Sequence, residues 1–226
     1  MYTQTIIPTG GHASAYDLRR QRMIERLVSQ GVRHEGVLAA MNQVPRHLFV
    51  EEALRSRAYD DTSLPLGLGQ TISQPYTVGK MTELLLGNRD GLPNKVLEIG
   101  TGCGYQTAVL LALGLNVYSI ERIRALNELA KQNLRQAKLN RARLVCSDGY
   151  LGLPGEAPFD AILVAAAPQS IPHDLLMQLA IGGRMVLPLE EEGKQYLWLI
   201  EKEARGYRET CIEEANFVPL VAGKLS

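Results

Sequence analysis

Apolar positions along this chain recur with two different periods, and the change falls near residue 95. Before it the spacing is helical. Leu18, Met23, Leu27 and Val28 fall near one face of a segment that Ser14 can cap and Gly31 can stop. A second helix is predicted over Glu35 to Asn42, ending before Val44-Pro45. From Arg57 to Gln74 periodicity is lost and Pro65, Gly67 and Gly69 collect, which reads as a loop. Such a length without structure is usually functional or disordered. Pro75 suits the first turn of a third helix, running to about Leu86.

Beyond Lys95, short apolar runs alternate with helical stretches. Strands are predicted at Val96 to Ile99, Asn116 to Ile120, Arg143 to Cys146 and Phe159 to Ala165, then at Arg184 to Leu189, Tyr196 to Glu201 and Cys211 to Leu220. Helices are predicted at Tyr105 to Leu113, Arg122 to Ala137 and Pro172 to Ala180. This alternation implies an α/β fold with a doubly wound, mainly parallel sheet, carrying the N-terminal helices as an appendage. The expected organisation is a flexible extension over residues 1–13, then one domain over 14–226. Within it, 14–90 hold the helices and the long loop and 91–226 the sheet.

Composition narrows the function classes. Lys+Arg and Asp+Glu balance at 24 each, so no general attraction to nucleic acid or an anionic membrane is expected. No apolar run approaches the ~20 residues that cross a bilayer, and the first residues lack the layout of a secretory signal. Cys103, Cys146 and Cys211 have no framework spacing, which favours a reducing cytoplasm over disulfides. The four histidines are scattered, so no metal is expected.

The most informative stretch is Glu98-Ile99-Gly100-Thr101-Gly102-Cys103-Gly104. A strand ends, three glycines let the backbone turn, and a helix begins with free N–H groups facing the turn. Glu121 closes the next strand about 20 residues on, where a carboxylate can accept from both ribose hydroxyls. Dinucleotide sites use G-x-G-x-x-G to receive a pyrophosphate. Here the spacing is G-x-G-x-G, and Glu98 would repel a pyrophosphate while suiting an amino group and a sulfonium. That favours S-adenosylmethionine over NAD; a plain tight turn is the competing account. Asp148-Gly149 follows the third strand, where a carboxylate can accept an adenine amino group, although an ordinary Asp-Gly turn reads the same way. Cys103 is more simply a small residue in a tight loop than a nucleophile. The place after the fourth strand holds Val164-Ala165-Ala166-Ala167-Pro168, not the Asn/Asp-Pro-Pro-aromatic run of enzymes that methylate base nitrogens.

The segment Leu64-Pro65-Leu66-Gly67-Leu68-Gly69-Gln70-Thr71-Ile72-Ser73-Gln74-Pro75 resembles the protein-L-isoaspartate O-methyltransferase family. So do Val44 to Val50, Val96 to Thr107, Ser119 to Arg122, Asp148-Gly149, Ala157 to Asp160 and Phe217 to Leu220. Together they span about Arg22 to Leu220 in the family's order. Gly79-Lys80, Cys103 and Ser147 depart from its pattern, away from any reacting group.

The resemblance implies a Rossmann-like class I methyltransferase. It places Ser73 as the catalytic hydroxyl, with Thr71, at the meeting point of cofactor and substrate. Gln70, Thr71, Ile72, Ser73, Glu98, Gly100, Thr101, Gly102, Gly104, Glu121, Arg122, Asp148 and Gly149 are expected to bind S-adenosylmethionine, with S-adenosylhomocysteine as the product. Thr71, Ser73, Phe217 and Val218 are expected to hold the substrate, an isoaspartyl-containing protein or peptide whose repair the methyl ester initiates. A monomer is expected. An isoaspartyl carboxylate, which ordinarily titrates near ~3.9, is already ionised at neutral pH, so no strong base is needed and His47 reads as structural. Helix-entry capping is the alternative role for Ser73. At the level of the whole chain the alternatives are an O-methyltransferase for another carboxylate or small molecule, and a binding module without turnover.

Overall fold

The structure, a computed structural model, describes residues 14–87 and 91–225; the expected extension over 1–13 lies outside them. Helix α1 (Ala15–Ser29) starts where Ser14 predicts. Ser14 Oγ accepts from the Asp17 N–H at 3.2 Å, and the Asp17 carboxylate accepts from the Ser14 N–H at 3.0 Å. This reciprocal box satisfies two otherwise free donors. Helix α2 (Glu35–Gln43) follows, and α3 (Pro75–Leu86) begins on its proline.

Between α2 and α3 the chain is more ordered than its lack of periodicity implies. The expected loop Arg57–Gln74 contains two strands, β1 (Leu64–Gly67) and β2 (Gln70–Ile72), paired antiparallel through Leu64–Ile72 and Pro65–Thr71. Gly67, Leu68 and Gly69 turn between them at φ of 78°, 53° and 71°. Strands of four and three residues are too short to register as a period, and the glycines that signal a loop make the hairpin's bend.

The main sheet holds β3 (Lys95–Ile99), β4 (Asn116–Glu121), β5 (Arg143–Cys146), β6 (Phe159–Val164), β7 (Leu179–Glu191), β8 (Lys194–Lys202) and β9 (Tyr207–Ala215) in the order β5-β4-β3-β6-β7-β8-β9. The five strands β3 to β7 are mutually parallel; β8 and β9 fold back antiparallel. Helices α4 (Tyr105–Ala112), α5 (Arg124–Gln136) and α6 (His173–Gln178) make the crossovers. The last strand corrects the expectation of Cys211 to Leu220. β9 is an edge strand and largely exposed, so its polar residues carry no apolar alternation. The apolar run after it, Phe217 to Leu220, forms a separate strap instead.

Alternate residues of the central strands bury on opposite faces. Val96, Ala161, Leu163 and Val186 enter one core together with Leu27, Met41, Val78 and Leu110 from α1 to α4. Leu97, Ile162, Met185 and Leu187 enter a second core with Leu175 of α6. Burial on both faces explains the unbroken apolar runs of these strands, and it joins the N-terminal helices to the sheet through a common core. No helix among the described residues is long and apolar enough to cross a membrane.

The chain leaves β3 toward β4 and β5, then returns to β6 on the other side of β3. Ile99 and Val164 therefore end side by side, and the loops beyond them diverge. In open α/β sheets such a switch point opens a crevice at the carboxyl edge.

Candidate active site

A cavity of about 440 Å³ occupies that crevice, within the range of small-molecule sites. Its floor is the turn after β3, with Gly100, Thr101, Gly102 and Cys103 on the wall. The backbone is pinned there: the Gly100 N–H donates to the Ile120 carbonyl at 2.9 Å, and the Ala165 N–H to Ile99 at 2.8 Å. Gly104 ends the turn at φ 88° without lining the cavity. A Cβ there would sit 3.3 Å from Ala130 Cβ and Leu134 Cγ on α5, so its glycine serves the packing of α5 against the turn.

Glu121, at the end of β4, reaches the cavity with both carboxylate oxygens engaged. Oε2 accepts from the Gly102 N–H at 2.9 Å and Oε1 from the Ile123 N–H at 2.9 Å. Each oxygen retains a further acceptor direction. Arg122 and Ile123 continue this wall.

The hairpin and the entry to α3 form the facing wall, with Gln70, Thr71, Ile72 and Ser73. Gln74 is the N-cap of α3 and no side-chain hydrogen bond caps the helix, so capping does not occupy Ser73. Tyr76 stands beside them and donates its hydroxyl to Glu213 on β9 at 2.9 Å. Burial and that carboxylate push the phenol up to about 12.

The strap after β9 completes the enclosure with Phe217 and Val218. It is sewn to the loop after β6: the Ala167 N–H donates to Val218 at 2.8 Å and the Leu220 N–H to Ala167 at 2.7 Å. Farther on, Asp148 holds it. Asp148 Oδ2 accepts from the Gly223 N–H at 2.7 Å, while Oδ1 accepts from the Tyr150 N–H at 2.9 Å and caps the short turn there. The structure therefore brings Gly149, not Asp148, to the cavity wall. A Cβ on Gly149 would lie 2.6 Å from Ile99 Cγ2, so nothing larger than glycine fits without displacement.

Glu98 is likewise beneath the site rather than in it. It points toward α4, fully buried, and accepts from the Thr107 hydroxyl through Oε2, while Oε1 has no partner. Desolvation raises its pKa to about 7. The Cys103 thiol is pushed up to about 11 by burial, which removes it as a nucleophile at neutral pH. His47 lies outside the cavity lining; it stacks on Tyr16 at 4.0 Å and meets the Tyr59 hydroxyl at 2.8 Å. Burial lowers its pKa, as suits a packing residue.

Sequence reasoning missed Tyr76, Gln106 and Glu213 on the cavity wall. Tyr76 adjoins the recognised Thr71-Ile72-Ser73 run and could have been found by continuing it. Glu213 could not, because only the pairing of β9 with β8 carries it there.

Residues 18–225 match the family model for protein-L-isoaspartate(D-aspartate) O-methyltransferase. A protein-L-isoaspartate O-methyltransferase of Chromobacterium violaceum is 55% identical over 221 residues, covering 96% of this chain and 98% of that one. One from Dechloromonas aromatica is 56% identical over 204 residues, 90% of this chain and 94% of that one. A solved protein-L-isoaspartate O-methyltransferase of 29% identity superimposes with a TM-score of 0.79 over 91% of this chain and 67% of that chain. The glycine turn and the Thr71–Ser73 segment thus face one cavity in a chain that matches the family nearly end to end, and the chain belongs to the protein-L-isoaspartate(D-aspartate) O-methyltransferase family.

Proposed function

We propose that this protein transfers the methyl group of S-adenosylmethionine to the free carboxylate of L-isoaspartyl residues in proteins and peptides, initiating their repair. The observation that carries the reading is the single cavity shared by the glycine turn and the Thr71–Ser73 segment. The residues present fit the cofactor. Glu121 offers acceptors for ribose hydroxyls, and Ile99, Ile123 and Gly149 offer apolar surface and a close backbone approach for a flat base. Gly100 to Gly102 would receive the amino-acid end, while Gln70 to Ser73 and Arg122 would enclose the cofactor from the other side. Glu98 would act through its charge from below, and Gly104 and Asp148 through the loops they shape.

S-adenosylmethionine supplies an electrophilic methyl carbon on a sulfonium. The remaining work is positional. The Ser73 hydroxyl would donate to one carboxylate oxygen of the substrate and so orient the carboxylate toward the cofactor, without being modified itself. Thr71 and the backbone at Phe217-Val218 hold the peptide. Because the cofactor would bring a cation and the substrate an anion, the strap and the hairpin would favour transfer by excluding water and fixing the line of approach, effects worth ~7–11 kcal/mol in well-oriented systems. We take the whole of residues 14–226 as one domain acting as a monomer in the cytoplasm, with protein and peptide substrates and neither nucleic acid nor membrane as partner. The equal counts of basic and acidic residues support the last point.

The test is transfer of labelled methyl groups to paired peptides that differ only in an isoaspartyl or aspartyl linkage. Label should enter the isoaspartyl peptide alone; equal labelling of both, or of neither, refutes the reading. Ser73→Ala should lower turnover by roughly 10- to 100-fold, the worth of one hydrogen bond to a charged group, while cofactor affinity measured by calorimetry stays within about 2-fold. Wild-type turnover in this variant removes Ser73 from its role.

A further inference from the structure

Behind Ser73 lies a guanidinium that the mechanism above does not use. Arg46 begins the short turn Arg46–Phe49 after α2 and is completely buried. Its fork reaches two separate segments: Nη2 donates to the Ser73 carbonyl at 2.7 Å and Nε to the Ala58 carbonyl at 2.7 Å. Its Cζ lies over the Tyr105 ring, 4.6 Å from the ring centroid. Phe49, from the same turn, packs edge-on against that ring at 5.6 Å. Tyr105 is the first residue of α4, immediately after the three-glycine turn, and lines the cavity.

We infer that Arg46 is a positioning residue, a strut that sets the distance between the Ser73 segment and the cofactor-side turn. The inference rests on the activity proposed above. Burying a guanidinium costs several kcal/mol unless an anion pairs with it. Among the described residues no carboxylate lies within salt-bridge distance of Arg46, and Nη1 has no partner at all. An apolar side chain would fill this space at lower cost, so what the arginine adds is directional: two charge-assisted bonds and a cation held over the ring, which fix the Ser73 carbonyl relative to Tyr105. The β1–β2 hairpin is only a two-stranded ribbon, a unit of marginal stability by itself. Without the strut, Ser73 keeps its chemistry and loses its place. A displacement of about 1 Å in an aligned transfer can lower the rate by ~100-fold.

Arg46→Met and Arg46→Lys test this. Methionine fills the volume without the fork. Lysine retains the charge as a single ammonium that does not reproduce the guanidinium's planar fork. Both variants are checked for a cooperative melt, then compared with wild type for S-adenosylhomocysteine affinity by calorimetry and for kcat and KM on the paired peptides. The expected result is cofactor affinity and peptide KM within about 3-fold of wild type and kcat lower by about 100-fold in both. Three results overturn the assignment: kcat within about 3-fold of wild type in either folded variant, cofactor affinity falling in parallel with kcat, or failure of both variants to fold, which would give Arg46 a stabilising role alone. Because wild type is assayed beside them, a failure of the activity reading shows separately, as a wild-type protein that labels neither peptide or both equally, and it sinks both.

Discussion

The ligand-free protein is expected to lose roughly 3 kcal/mol of stability through Glu98 as pH rises from about 4.5 to about 7. The side chain is completely buried, its Oε1 has no partner, and desolvation raises its pKa from 4.5 in the open chain to about 7 in the fold. Between those values the native state holds a proton that the unfolded chain has released, so raising the pH favours unfolding. Below pH 4.5 neither state is ionised and nothing is lost; above 7 the loss is complete. In a domain of this size the change corresponds to about 2–4 °C in melting temperature per kcal/mol. Thermal melts of wild type and Glu98→Gln at pH 5 and pH 8 isolate it, since other groups titrate in both proteins. Wild type should fall further than the variant between the two pH values. Equal falls in both would show that Glu98 is not the group responsible. The same variant, titrated with S-adenosylmethionine at pH 8, should bind more weakly if the buried charge attracts the cationic cofactor. Unchanged affinity would remove Glu98 from the cofactor set.

Glu121→Ala should weaken S-adenosylmethionine binding by roughly 1–3 kcal/mol, the cost of leaving a buried hydrogen-bonding partner unsatisfied. That is about 5- to 150-fold in the dissociation constant. Two effects combine. The side chain organises the turn directly, through the N–H groups of Gly102 and Ile123, and it lines the cavity with acceptor capacity left for ribose hydroxyls. Glu121→Gln keeps one amide oxygen and replaces the other with a donor, so it should fall between wild type and alanine. Calorimetric titration measures the series. An alanine variant that binds as wild type does would place the ribose elsewhere.

The parts of the site legible in the chain were those made by neighbouring residues. Glycines 100, 102 and 104 announce a turn because positive φ there, 92°, 54° and 88°, is what glycine alone adopts freely. Glu121 was legible because one strand and one helix separate it from that turn, a distance set by the fold's repeat. The edge of the site was harder. Asp148 and Glu98 both carry carboxylates at positions where a ligand contact is chemically reasonable. Whether such an oxygen meets a ligand or a backbone N–H depends on which segment packs beside it. For Asp148 that segment is the C-terminal strap, some 75 residues on; for Glu98 it is α4.

The helix starts at Ser14 and Pro75, the positions of the central strand segments and the glycine turn with its acidic partner were determined locally, by capping, periodicity and backbone conformation, which operate over a few residues; the fifth strand starts earlier than its apolar run, at Leu179. Tertiary structure alone decided that Leu64–Ile72 closes into a hairpin, that β9 stops at Ala215 and lets a strap line the cavity, and that Arg46 spans from Ala58 to Ser73 over the ring of Tyr105. Those features depend on pairing and burial between segments far apart in the chain. Their free energy appears only when the partners meet, so no window of sequence contains it.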